Sequence, residues 1–347
     1  MRLIAFAALL AGCGATTSTT PKPPPAEHTA APVAQPTATA SASATVAEPP
    51  PTASASAGPV SEAFPCSGKR CELTEISDAT AQQIDSKMDH DAVDITFVEG
   101  ATNAGLKTVG KLPWLRNVHI RSKEITDLSP LAALERLNEL DLVGAEGVSD
   151  LSAIAKLATL TAVSLEGTKV TDLAPLAGLT SVEELGLQGT PATNIAPLRG
   201  MKSLRVLNLK GVKAADWKPL TDLAHVETLT VDASGWKNLN PLAGMTKLRR
   251  LELAHNEQVK DISTLMHMKD LESLDLTGAP LADVLPLGSL TKLETVLLGG
   301  TKVTSFRGLL ASANSHALRK VVVPKGTAPF RTEEIRNASP SLKIEEE

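Results

Sequence analysis

The sequence contains no tyrosine, and aromatic residues make up only 2% of its 347 positions. A core without rings must be filled by aliphatic side chains, and a surface short of Tyr and Trp lacks the usual anchors of tight protein interfaces. There are three cysteines, Cys13 and the close pair Cys66 and Cys71. A zinc site next to that pair would need two further ligands at suitable spacing, and none is nearby. The apolar run Leu3 to Ala11 spans nine residues, too short to cross a bilayer as a helix. HExxH, GxSxG and P-loop patterns are all absent, which removes the commonest hydrolase and nucleotide-binding signatures. Net charge is −5, and from Cys66 onward 32 basic residues face 36 acidic ones. That balance offers no electrostatic footprint for nucleic acid.

What the chain has in quantity is repetition. Leu115, Leu137, Leu160, Val182, Leu204, Val226, Leu248, Leu271, Leu293 and Leu318 recur every 22 or 23 residues, with a longer last interval, and self-similarity at this period marks a solenoid. Three and five positions after each, apolar residues return (Val118 and Ile120, Leu140 and Leu142, Val163 and Leu165, Leu185 and Leu187). This alternation predicts a short strand with one face buried. The second half of each copy reads approximately G-T-x-V-x-D-L-x-P-L-x-x-L. Its proline column (Pro130, Pro175, Pro197, Pro219, Pro241, Pro286) suits the first position of a short 3₁₀ or α turn, where a missing N–H costs nothing.

The combined pattern LxxLxL…(V/I)xDLxPLxxL resembles the short leucine-rich repeat of internalin-like bacterial proteins. The resemblance implies an α/β fold: a right-handed leucine-rich repeat solenoid with a parallel β-sheet on the concave face and short 3₁₀ or turn segments on the convex face. The Asn that follows the strand in that family survives as Asn256 and is replaced by Thr168, Thr190, Thr301, Ala279, Val212 and Ser234 elsewhere. The Thr hydroxyls are expected to bond the same backbone.

Around the repeats the chain divides into a lipoprotein signal peptide (1–12), a lipidated Cys13 with a Pro/Ala/Ser/Thr-rich tether (13–65), an N-terminal cap (66–114), the repeats (115–317) and a last strand with a C-terminal cap (318–347). Leu10-Ala11-Gly12-Cys13 matches the lipobox of bacterial lipoproteins, which implies acylation of Cys13 and attachment to a membrane. By the same analogy, Gly14 favours the outer membrane. The tether holds 11 prolines in 52 residues and almost no bulky apolar side chain, so it is expected to remain disordered. Cys66 and Cys71 are expected to form a small disulfide loop in an exported chain. Glu72 to His90 has helical spacing, Ala92 to Phe97 reads as an irregular strand, and Glu345 to Glu347 reads as a solvated tail.

Several residues invite a functional reading. The column Asp127, Asp150, Asp172, Asn194, Asp216, Asn238, Asp261 and Asp283 offers one carboxylate or amide per coil. Calcium wants six to eight oxygens, so these side chains are expected to accept from backbone N–H groups opening the next turn. Trp217 and Trp236 share columns with Leu239 and Val259 and are expected in the core, and Trp114 on the N-terminal cap. His119 is expected to face solvent from its strand.

What remains is the concave ribbon, whose chemistry varies while the buried columns do not. Asn117, His119, Arg121, Glu139, Asp141, Glu166, Glu184, Gln188, Asn208 and Lys210 are its candidate partner-binding residues. The acidic group Glu139, Asp141, Glu166 and Glu184 calls for a basic or polar partner. The chain therefore reads as a non-catalytic module at the bacterial cell envelope that binds a protein or surface polymer, with a structural spacer as the alternative. No cofactor, metal or nucleic acid is expected, and a monomer is.

Overall fold

A computed structural model describes residues 66–88, 90 and 94–347; the expected signal segment, Cys13 and the tether lie outside them. In each copy the alternation of side chains produces a strand of three or four residues. These are β4 (Asn117–Ile120), β5 (Glu139–Asp141), β6 (Ala162–Ser164), β7 (Glu184–Gly186), β8 (Val206–Asn208), β9 (Thr228–Thr230), β10 (Arg250–Glu252), β11 (Ser273–Asp275), β12 (Thr295–Leu297) and β13 (Lys320–Val323). With β1 (Cys66–Ser67), β2 (Arg70–Leu73) and β3 (Asp94–Phe97) before them and β14 (Lys343–Glu346) after, they form one fourteen-stranded sheet in sequence order. All pairs from β2 onward are parallel and in phase: Val118 lies beside Leu140, Leu140 beside Val163, Val163 beside Leu185. Leu142, Leu165, Leu187 and Leu209 fall in one interior file, each fully buried.

Three side-chain columns close the coils. Each of the six column prolines is the second residue of a 3₁₀ turn, one place later than expected, as at Pro175 in Ala174–Gly178. The Asp/Asn column accepts the backbone N–H two residues on throughout, from Asp127 with Ser129 (2.8 Å) to Asp283 with Leu285 (2.8 Å). These are turn-stabilising bonds, and they use the carboxylates that a cation row would need. Thr168, Thr190 and Thr301 donate to Leu165, Leu187 and Leu298 carbonyls at 2.7, 2.9 and 2.7 Å, and Asn256 does the equivalent work with its amide. Just before this column the chain turns through positive φ, at Gly144, Gly167, Gly189 and Gly211 and also at His255 (58°), a conformation that favours glycine.

Both ends depart from the sequence expectations. Leu73 belongs to β2, and the helix of the N-terminal cap, α1 (Asp78–Lys87), starts later because Ser77 caps it by accepting from the Thr80 N–H (3.1 Å). β1 and β2 form an antiparallel hairpin in which Cys66 and Cys71 are register partners joined by a disulfide. The described part of the 92–97 stretch is a regular strand, β3, paired with β2 and β4. Trp114 seats on the cap as expected, stacked on His90 at 4.2 Å and donating to Asp85 (2.7 Å). Trp236 is fully buried, whereas Trp217 is only partly covered and leans against it, ring centroids 4.7 Å apart. At the other end Glu345 and Glu346 are not a free tail: they lie in β14, and Glu345 pairs with Lys320 (2.7 Å).

Candidate functional site

Because the sheet is in register, the polar ribbon resolves into three files along the concave face. One runs Asp94, Asn117, Glu139, Ala162, Glu184, Val206, Thr228, Arg250, Ser273; the next His119, Asp141, Ser164, Gly186, Asn208, Thr230, Glu252, Asp275. The third, two residues beyond the second, holds Arg121, Glu166, Gln188, Lys210 and Asp232. From β3 to β11 these files carry eight carboxylates (Asp94, Glu139, Asp141, Glu166, Glu184, Asp232, Glu252, Asp275) against the three cations Arg121, Lys210 and Arg250. The difference is −5, equal to the net charge of the whole chain. The formal charges of the remaining residues therefore sum to zero, and the excess of negative charge is that of this face,.

Eight of the ten predicted binding residues fall into four local groups. Asn117 donates to Asp94 (2.6 Å). Asp141 is gripped by both guanidinium nitrogens of Arg121, by His119 (3.4 Å) and by the Val143 N–H (3.0 Å). Burial disfavours the Asp141 charge, but these bonds outweigh it and hold the carboxyl far below the usual carboxylate range,. His119 is thus a partnered side chain rather than the solvated one expected. Asn208 donates to Glu166 (2.9 Å) and Gln188 (3.2 Å), and Lys210 pairs with Asp232 (3.6 Å).

Glu139, Glu166 and Glu184 share a different condition. Burial pushes all three carboxyls up; His119 and Arg121 offset part of the rise at Glu139 and the Asn208 bond part of it at Glu166, while Asp141 adds to it at both and Glu139 adds to it at Glu184. Among the described residues neither Glu139 nor Glu184 has an ion-pair or hydrogen-bond partner. Charges on the flank behave otherwise: Arg205 meets Glu227 (2.7 Å), Arg249 meets Glu272 (2.6 Å) and Lys292 meets Asp270 (2.7 Å). Further along the face the buried Asp232 and the half-buried Glu252 lie near each other, both raised by burial.

The strand alternation turns Ser164 outward with Ala162 and Glu166, yet Ser164 is 1% exposed, and its Oγ is buried without a hydrogen-bond partner. It belongs to a run of small residues, Ala162, Ser164 and Gly186, set between strands that carry Glu139, Asp141 and Asn208. The sequence signal of this feature is the coincidence of Ala162, Ser164 and Gly186 in columns that hold larger residues in other copies. The second file also brings His119, Asp141 and Ser164 onto three successive strands. Hydrolytic triads place the imidazole between nucleophile and carboxylate; here Asp141 is in the middle, which is no arrangement for activating Ser164.

These features define a leucine-rich repeat solenoid with an acidic concave face. Among solved structures it is similar to an internalin (inlF) from Listeria monocytogenes, at 21% identity over 77% of this chain and 84% of that one, with a TM-score of 0.60. TLR13 in its complex with ssRNA13 matches at 18% identity over 80% of this chain and 46% of that one, with a TM-score of 0.55. An internalin C2 from Listeria monocytogenes shares 27% identity over 63% of this chain and 90% of that one, but at a TM-score of 0.44 the overlap carries no argument. No protein-family model and no curated protein matches the chain. At these identities the likeness establishes the fold.

Proposed function

We propose that this chain is a non-catalytic binding module of the bacterial cell envelope, lipid-anchored through Cys13, whose concave face recognises a protein or surface polymer bearing positive charge. The observation that carries the reading is the confinement of the full net charge of −5 to that one face, with two glutamates left unpaired on it. A surface of this sign attracts and orients a cationic partner, and contact would relieve the burial cost of Glu139 and Glu184. The lipobox at Leu10 to Cys13 supports the anchor, and the proline-rich segment after it is suited to holding the solenoid away from the membrane.

The test is Glu139→Lys, Glu166→Lys and Glu184→Lys combined, leaving Asp141 intact because Arg121 and His119 depend on it. Capture of partners from an envelope extract is expected to fall with this variant while its thermal unfolding stays cooperative. Unchanged capture would refute the concave-face reading. In parallel, Cys13→Ser should release the chain from the membrane fraction; retention there would refute the anchor.

A further inference from the structure

We propose that the depression floored by Ala162, Ser164 and Gly186 receives one basic side chain, lysine or arginine, of a protein partner. The inference rests on the binding role proposed above and names the chemistry of its central contact.

Three independent features converge there. The floor combines three of the smallest residues, in register on β6 and β7, so side-chain volume is missing where neighbouring strands supply it. At its centre the Ser164 hydroxyl is buried and unpartnered. Its neighbour in the file, Asp141, is already committed to Arg121, His119 and the Val143 N–H, and its other neighbour, Gly186, has no side chain. A buried hydroxyl without a partner is costly, and an alanine such as Ala162 would fill the same space without that cost. The rim then supplies Glu139 and Glu184, one on each side of Ala162, and Glu166 from the same strand segment. Asn208 reaches across the bare Gly186 position to Glu166 (2.9 Å) and closes the depression from the β8 side.

The geometry selects the class of cation. Strands β5 and β7 are two strand spacings apart, so the Glu139 and Glu184 backbones are separated by roughly 10 Å. A metal ion needs its oxygens within about 2.6 Å, and among the described residues no three carboxylates or imidazoles gather tightly enough to hold one. An ammonium or guanidinium suits the wider site. It carries three or five N–H donors and no acceptor, and the acceptors it meets are the rim carboxylates and the Ser164 Oγ. The Ser164 Oγ has no exposed surface in the free chain, so a basic side chain entering here first displaces Asn208 from Glu166 and only then gives the uncovered hydroxyl oxygen an N–H to accept.

The experiment titrates the full chain with fluorescent octalysine and octaarginine peptides, with spermine as a free polyamine. The key variant is Ala162→Leu, which changes no charge. The fold tolerates bulk at that register, since Val206 and Thr228 occupy it on β8 and β9. Peptide binding is expected to weaken at least tenfold in Ala162→Leu and severalfold in Ser164→Ala. Ser164→Ala should at the same time unfold at a higher temperature than the parent chain, which a purely structural serine would not show. Glu257→Gln, which removes one exposed carboxylate from a loop elsewhere, should leave binding intact. Equal peptide binding by Ala162→Leu and the parent would overturn the proposal, as would binding confined to spermine. If envelope partners are captured through Glu139, Glu166 and Glu184 but Ala162→Leu does not affect their capture, the binding role stands and the depression is refuted as its centre. If neither peptides nor envelope partners bind, both fall.

Discussion

Replacing Asn256 with alanine tests how the coils are closed. Its side chain is fully buried and makes three bonds to main chain: the amide donates to the carbonyls of Val231 (2.8 Å) and Leu253 (2.9 Å), and its oxygen accepts from the Trp236 N–H (3.1 Å). In other copies the N–H three residues on reaches the equivalent carbonyl, as from Thr168 to Leu165, Thr190 to Leu187 and Ala279 to Leu276. At Leu253 the Asn256 side chain reaches it instead. Asn256→Ala therefore strands a donor and two acceptors in a dry interior, where each unsatisfied group costs about 1–3 kcal/mol. Partial relaxation and the second lone pair of each carbonyl reduce the sum, giving an expected loss of about 2–5 kcal/mol. Asn256→Thr should lie between the two, since a Thr hydroxyl can keep the bond to Leu253 as Thr301 does to Leu298. Guanidinium denaturation followed by far-UV circular dichroism gives the overall loss. Tryptophan emission follows the Trp217–Trp236 pair beside the lesion and should change at lower denaturant than the dichroism. A loss below about 0.5 kcal/mol, within the range of ordinary surface substitutions, would show that the side chain closes nothing.

Leu187→Ala removes a fully buried side chain from the central interior file and should cost about 2–5 kcal/mol in the same denaturation assay; a shift under about 1 kcal/mol would contradict the register. Gly308→Ala places a methyl 1.8 Å from the Val284 carbonyl oxygen, whereas Gly288→Ala meets nothing within 4 Å. The first should cost about 3 kcal/mol or more through overpacking and the second almost none, read as thermal midpoints. For Glu139, Glu166 and Glu184 the folded-state affinity for protons is raised. The native chain then holds protons that the unfolded chain has released, and stability falls as pH rises through the upper side of the carboxylate range. Glu184→Gln should therefore raise the midpoint at neutral pH and flatten that decline. Asp141 is depressed, so its contribution is present above the ordinary carboxylate range and lost as pH falls below it; Asp141→Asn should lower the midpoint at neutral pH and matter little in acid. Equal pH profiles for the two variants would refute the assignment.

The repeating part of the fold was legible because each column has one physical job done many times. Proline opens a turn, Asp or Asn bonds the N–H two residues on, leucine fills the interior, and ten copies average out local exceptions. The ends were not, because they occur once. Leu73 and Ile76 are spaced as on a helix, and nothing local says that Leu73 is recruited to β2 by Phe97 across the sheet. The charges of Glu345 to Glu347 suggest solvent, but a last parallel strand needs only one buried face, and Ile344 beside Val321 supplies it. The concave face was legible in outline, since outward positions follow from the alternation. Its internal wiring was not: the Arg121–Asp141–His119 grip and the burial of Ser164 depend on which side chains on three successive strands are long enough to cover a short one.

The hairpin at the start of the sheet has a further consequence. A stack of parallel coils is open-ended by nature, and either edge could in principle accept another chain. β1 runs opposite to every strand that follows and is bolted to β2 by the Cys66–Cys71 bridge. A second molecule arriving in phase would find the polarity reversed at one edge and the carboxylates of Glu345 and Glu346 at the other. Among the described residues, then, neither edge of the sheet presents the parallel, uncharged strand that an identical coil arriving in phase would need.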